Sequence, residues 1–283
     1  MSIDLDHLRQ WIGKSHSERD TIGARQARLM AATVGRADAG LEAGMRLPPL
    51  WHWLYFLKGE PPAALGRDGH PARGGFLPPV PLPNRMWAGG QLAFHGALPL
   101  DTEVEKRSTV TAVEHKQGRS GELVFVTVLH ELLQDGATLV SEHHDIVYKG
   151  ASPAPANTAP APASPAGTPS APHTRVIVPD NTMLFRYSAL TFNGHRIHYD
   201  ADYCRAVEGY PDLVIHGPLN ATLLANFAEE VAGRPLARFS YRGLQPAILG
   251  NRLTLHAAPD GDRMALWVTL SSGAVSMRAD AFF

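Results

Sequence analysis

Within eight positions, between Asn193 and Asp200, the chain carries an amide, two imidazoles and a carboxylate: Asn193, His195, His198 and Asp200. Imidazole exchanges protons near neutral pH, so a loop of this composition can set a general acid or base against a bound substrate. The same loop contains Asn193-Gly194, a dipeptide that suits a tight turn. Downstream stand His216, Gly217 and Pro218. Proline is favoured at the first helical position, so this tripeptide reads as the start of a helix. The backbone N–H of Gly217 would then lack an intrahelical partner, with the positive end of the helix dipole behind it. Such a donor grips a carbonyl oxygen that gains negative charge during reaction, and loss of one costs about 2.7–4 kcal/mol.

The elements that must hold these groups are legible on either side. Leu184–Leu190 reads as a strand feeding the loop Thr191–His198, and Ala201–Val207 as a short helical turn. From Pro218 to about Ala232, Leu219, Leu223, Leu224, Phe227, Ala228 and Val231 recur at helical spacing, and Gly233 suits the C-cap. Four strand-like runs follow, at Ala237–Leu244, Arg252–Ala258, Met264–Leu270 and Val275–Ala281. The first half has a similar plan. Asp20 reads as an N-cap for a helix over Thr21–Ala32. A Pro/Gly-rich stretch from Leu47 to Pro83 holds Trp51, Trp53, Tyr55 and Phe56. Strand-like runs occupy Gln91–Leu98, Val104–Glu114, Leu123–Leu132 and Thr138–Tyr148, with His143-His144 alternating on the last, read as a solvated strand. The run from Leu123 to Leu129 is apolar on both faces, as in a covered central strand, and Lys116–Gly121 suits a hairpin connection. Each half therefore predicts a helix lying on an antiparallel sheet, an α+β architecture; a parallel sheet would need helices between the strands.

Between the halves, residues 151–174 contain 8 Ala and 7 Pro and no charged residue. Proline blocks ladders and nothing large is available to bury, so this reads as an exposed linker. The chain has 283 residues, 26 Lys+Arg against 27 Asp+Glu, and 44% hydrophobic residues. That composition supports a real core and argues against non-specific nucleic-acid binding. One cysteine, Cys204, excludes an internal disulfide and a cysteine-rich zinc module. His195, His198 and Asp200 lack a further His or Cys at a familiar metal spacing, so no metal is expected. There is no apolar run of membrane-spanning length and no leader-like N-terminus, so the expectation is a cytoplasmic protein without membrane partners. No Gly-rich phosphate loop follows a strand, so no prosthetic group is expected. Arg85, Arg186, Arg196, Arg238 and Arg242 are candidates for phosphate or carboxylate binding.

The motif Asn193-Gly194-His195-Arg196-Ile197-His198, with His216-Gly217 downstream, resembles that of the MaoC-like (R)-specific enoyl-CoA hydratases. The flanking Phe192 and Tyr199-Asp200 are similar to a subgroup of mitochondrial 3-hydroxyacyl-thioester dehydratases and bacterial mesaconyl-C4-CoA and itaconyl-CoA hydratases. So are Pro49–Leu57 and Arg85–Gly90. The resemblance implies a double hotdog, with residues 1–150 a degenerate copy that helps form the acyl tunnel and 175–283 the catalytic unit. It implies His198 as the catalytic base and Gly217 as the donor to the thioester oxygen. Asn193 stands where the family has its catalytic Asp, so it could orient water but not act as a carboxylate base, leaving His198 alone or with a carboxylate such as Asp200. His195, His216, Arg85, Arg242 and Trp53 are the expected substrate-binding residues. The implied activity is a hydro-lyase acting on a branched C5 dicarboxylyl-CoA, itaconyl-CoA or mesaconyl-C4-CoA, to give citramalyl-CoA. Alternatives are a 3-hydroxyacyl-ACP/CoA dehydratase of fatty-acid metabolism and a hotdog thioesterase. CoA would enter only as part of the substrate, and a homo-oligomer is possible.

Overall fold

The computed structural model describes residues 3–36, 40–71, 75–118, 121–150 and 171–283. One antiparallel sheet of ten strands organises the molecule, in the order β1-β3-β4-β5-β2-β7-β10-β9-β8-β6. The first five are β1 (Ser15–Thr21), β2 (Asn84–Phe94), β3 (Glu103–Gly118), β4 (Gly121–Gln134) and β5 (Ala137–Lys149). The second five are β6 (His173–Ile177), β7 (Arg238–Gly243), β8 (Leu253–Asp260), β9 (Arg263–Thr269) and β10 (Val275–Phe282). Read outward from the β2–β7 seam, the two halves repeat one strand order, so the expected α+β double hotdog is met. The expected linker lies outside the described residues except at its end, where His173 and Thr174 already pair with Ala257 and His256 in β8.

The helices are α1 (Leu5–Arg9), α2 (Ala24–Val34), α3 (Asn181–Leu190), α4 (Ala201–Tyr203) and α5 (Gly217–Ala232). None among the described residues is long and apolar enough to cross a membrane. The predicted stripe of α5 is buried at Leu219, Leu223, Leu224, Phe227 and Ala228 against β7–β10, and Gly233 closes the helix at φ 66°. In the first half this long helix is replaced by one 3-10 turn, Trp51–Leu54. Backbone pairing fixes the equivalence. Leu47 donates to Leu98 and Met45 accepts from Leu100, as Ile215 donates to Ala247 and Leu213 accepts from Leu249. Arg46 thus matches Val214, and Pro49 falls where the second half has Gly217.

Three local expectations are corrected. Asp20 does not cap a helix: it lies in β1, and its carboxylate accepts from the Phe56 and Thr21 amides at 2.7 and 2.8 Å. Helix α2 starts three residues later than expected, its Ala24 amide donating to the distant Asp101 side chain. Leu184–Leu190 is helix, not strand. Asp180 accepts from Met183, and Leu184 and Tyr187 bury one face while Phe185 stays exposed. Strand β4 is covered on one face only, with Val124, Val126 and Val128 buried and Phe125 between them half-buried.

At the seam, β2 pairs with β7 from Gly89–Arg242 to Ala93–Arg238. A Cβ on Gly89 would stand 2.5 Å from the Tyr241 carbonyl oxygen, so only glycine admits this approach. The seam lets both halves wall one open cleft of about 2030 Å³.

Candidate active site

The catalytic-type loop is held from both ends. Asp180 caps α3 above it, and Asp200 caps α4 below it through the Tyr203 amide at 2.9 Å. Between them Arg196–His198 forms a 3-10 turn. The His198 Nδ1 lies 2.7 Å from the Val214 carbonyl oxygen. A carbonyl only accepts, so Nδ1 carries the proton and Nε2 keeps its lone pair. The ring is buried, and desolvation holds its pKa down at about 4 despite the opposing Val214 bond. His198 is therefore a neutral imidazole whose open atom is a base.

The segment that accepts this hydrogen bond, tied to Ile248 by an isolated bridge at Val214, runs directly into α5. Val214 also donates back to Ile197 at 2.9 Å, so loop and helix start are stitched together. Gly217 is the first residue of α5; its N–H has no acceptor among the described residues, and Pro218 follows. His198, Gly217, Asn193 and His195 all line the same cleft. Asn193 makes the turn its sequence suggests, its side-chain oxygen accepting from the His195 amide at 3.0 Å. The carbonyl has a second lone pair for a water molecule.

Three expected roles change. Asp200 is no partner for His198: one oxygen caps α4 and the other is 2.7 Å from Arg196. His216 is fully buried, stacked on His198 at 3.6 Å with Nε2 beside the Ser188 hydroxyl at 2.8 Å, and it does not line the cleft. Its ring packs against the back of the His198 imidazole. Trp53 is also withdrawn. Its indole donates to both Glu142 oxygens at 3.1 Å, and Trp87, packed on it at 4.8 Å, lines the cleft instead. Of the two expected arginines, Arg85 lines the cleft from β2, opposite Tyr148, without an ion pair to any described residue. Arg242 is exposed on β7, opposite Arg278 and on the other face of the strand from Tyr241, at the outer part of the cleft.

Several contributors escaped the sequence reading because they come from remote segments. The Trp87 N–H donates to the Tyr241 hydroxyl at 2.5 Å, which leaves that hydroxyl's own proton to donate into the cleft. Burial pushes the Tyr241 pKa well above 10, so it stays a donor. Behind them Glu142, fully buried, pairs with His52 at 2.8 Å. Desolvation opposes its ionisation, but the His52 hydrogen bond and charge outweigh it and hold the pKa at about 2. Asn220, on the first turn of α5, lines the cleft with a buried side-chain oxygen that has no partner. The trio His195, His198 and Asp200 is not a metal cluster, but Asp68, His70 and His195 bring one donor atom each within 4.8 Å of one another.

This burial of histidine has a consequence for stability. His130, His195 and His198 are held, chiefly by desolvation, at pKa values of about 3, 3 and 4, against 6.5 for an unperturbed imidazole. The unfolded chain therefore binds protons first as pH falls. Their contribution is complete above pH 6.5 and is lost progressively as pH drops toward 3, with Glu142 adding a further loss below 4.5. Urea midpoints should fall steadily from pH 7 to pH 5. A midpoint unchanged over that range would contradict the neutral buried histidines.

Comparison with known proteins gives the family and the fold. The family model described as hydroxyacyl-thioester dehydratase type 2 matches residues 50–249. A mesaconyl-C(4)-CoA hydratase of Chloroflexus aurantiacus is 42% identical over 270 residues, covering 95% of each chain. Among solved structures, a MaoC-like dehydratase from Phytophthora capsici superposes with a TM-score of 0.71 at 12% identity, over 99% of this chain and 98% of that one. A Mycobacterium tuberculosis protein described as a double hotdog gives 0.56 at 13% identity, over 96% of each. With the loop from Asn193 to Asp200 and the start of α5 inside the matched region, the chain belongs to the hydroxyacyl-thioester dehydratase type 2 family.

Proposed function

We propose that this chain is a hydro-lyase that adds water to the 2-enoyl-CoA ester of a branched C5 dicarboxylic acid, with mesaconyl-C4-CoA the first choice and citramalyl-CoA the product. The observation that carries the reading is the neutral His198, its Nε2 unprotonated, in one cleft with the unpartnered N–H of Gly217. The thioester oxygen would accept from Gly217, whose donor stabilises the enolate that forms. His198 Nε2 would take a proton from water as its oxygen bonds to the β-carbon. The 42% identical relative supports the substrate class.

The substrate itself makes a demand. In a mesaconyl C4 thioester the free carboxylate is attached to the carbon that water attacks. Its receptor must therefore stand close to the base, and an unpaired carboxylate there would be costly to desolvate. Arg85 fits: it lines the cleft and is near enough to depress His195 electrostatically. Arg242, at the outer part, would face the CoA phosphates. Arg85→Gln should raise KM for mesaconyl-C4-CoA about 10–100-fold, the loss of one charge-assisted contact, and leave crotonyl-CoA within about threefold. Equal effects on both thioesters would remove Arg85 from carboxylate recognition.

The family description also favours a second reading, dehydration of a 3-hydroxyacyl thioester of fatty-acid metabolism. Hydrolysis is not supported. Glu229 and Glu230 lie at the far end of α5, engaged with Arg46 and Arg175. One assay separates the readings: incubate the protein with mesaconyl-C4-, itaconyl-, crotonyl- and long-chain enoyl-CoA, following enoyl absorbance and free thiol. Absorbance loss without thiol, fastest on the C5 dicarboxylyl esters, is expected. Preference for long chains would favour the dehydratase, and thiol release the thioesterase. CoA serves only as part of the substrate in this scheme, and no prosthetic group is invoked.

A further inference from the structure

Hydration needs two proton transfers, one from water and one to the α-carbon. Asn193 cannot exchange protons, and Asp200 is committed elsewhere. The N-terminal half brings a second titratable pair to the same cleft. Asp68 Oδ2 lies 3.2 Å from His70 Nδ1, and both side chains line the cleft. The turn that carries them is seated on the catalytic loop: Arg196 donates its amide to the Asp68 carbonyl at 2.9 Å. Gly69, at φ +85°, lies so close that a Cβ would stand 2.0 Å from the Gly194 carbonyl oxygen. The His70 ring packs on His195 at 4.2 Å, and His195 in turn meets His198 at 5.5 Å.

Resting on the hydratase reading, we propose that His70, oriented by Asp68, is the acid that protonates the α-carbon of the substrate. Asp68 takes the Nδ1–H, so Nε2 is the atom left to serve the cleft. In the forward direction His198 Nε2 removes a proton from water, the oxygen bonds to the β-carbon, and the π-electron pair moves through the α-carbon onto the thioester oxygen. The α-carbon then takes the Nε2 proton of the His70 imidazolium. The proton on His198 returns to His70 through the cleft, so water is added with no net change in the protein. The charged and titratable groups around this turn are Asp68 and Arg67 on the turn itself, His195 and His198 from the loop that faces it, Arg196 packed on Gly69, Tyr203 from α4 against Asp68 and Arg67, and Arg85 from β2 against His195. Asp68 is the anion held against His70, at 3.2 Å.

The test uses full-length His70→Gln and Asp68→Asn, each compared with wild type by thermal melting, kcat, KM and rate against pH on mesaconyl-C4-CoA. The expected result for His70→Gln is a kcat about 10²-fold lower, with KM within about threefold and the alkaline fall of the wild-type profile gone. In Asp68→Asn that alkaline fall should begin at lower pH. Unchanged kcat and pH profile in His70→Gln would overturn the assignment. So would a wild-type rate abolished by EDTA and restored by zinc, which would make Asp68, His70 and His195 a metal site. A wild-type protein inert on every thioester would overturn the hydratase reading instead, and that arm reads out independently of the variants.

Discussion

His198→Ala lowers turnover of the enoyl thioester by about 10²–10⁴-fold, the range expected when a positioned general base is removed, while the protein stays folded. Retention of the fold follows from the site's construction. The Nδ1–Val214 bond is one link in a loop also held by the Val214–Ile197 and Arg196–Asp68 backbone bonds and the Asp200 cap. His198→Asn is the sharper variant, because its amide nitrogen stands where Nδ1 does and can donate to Val214 but cannot take a proton. A His198→Asn protein within about tenfold of wild type in kcat would show that the proton goes elsewhere.

Gly217→Pro is expected to lower kcat by about 10²–10³-fold through loss of one oxyanion donor. Proline is tolerated at N1, and His216, at φ −59° and ψ 127°, already has the conformation proline demands of its predecessor. The first half performs the same substitution: Pro49 occupies the equivalent position beside Leu47 and folds without a donor. Gly217→Ala is the control. No atom lies within 4 Å of a Cβ built there, and the N–H survives. It should stay within about tenfold of wild type. If proline and alanine prove equally harmful, the N–H is not the operative group.

How much of this was legible in the sequence depends on how local each signal is. The stripe from Leu219 to Val231, the Pro218 start and the Gly233 stop define α5 within one residue, because burial, capping and φ preference agree there. The strands of both meanders were found with ends off by a few residues, longest at β2, where Asn84–Gly90 hide a strand behind two glycines that the seam requires. Leu184–Leu190 failed for a physical reason. A ten-residue helix buried only at Leu184 and Tyr187 shows little periodicity, and its cap, Asp180, stood outside the segment considered. Asp20 failed because a carboxylate ahead of a helical run can serve any nearby amide, and tertiary pairing gave it to Phe56. Within the site, His198 and Gly217 were visible as a motif. His216 and Asp200 were assigned by proximity in sequence and Trp53 by its aromatic cluster and the family-like stretch around it, and all three lost their roles to packing that spacing does not encode. Asp68, His70, Trp87 and Tyr241 could not be found from the loop, since the contacts that place them join remote segments: His70 meets His195 and Trp87 meets Tyr241, each pair drawn from opposite halves.

The central claim is that one bound acyl group meets the Gly217 amide and the His198 imidazole together. The direct measurement is the thioester C=O stretching frequency of mesaconyl-C4-CoA bound to His198→Ala, a protein that holds the substrate without consuming it. The expected frequency is lowered relative to the free thioester and returns toward the free value when Gly217→Pro is added. A carbonyl indistinguishable from free thioester in both proteins would contradict it.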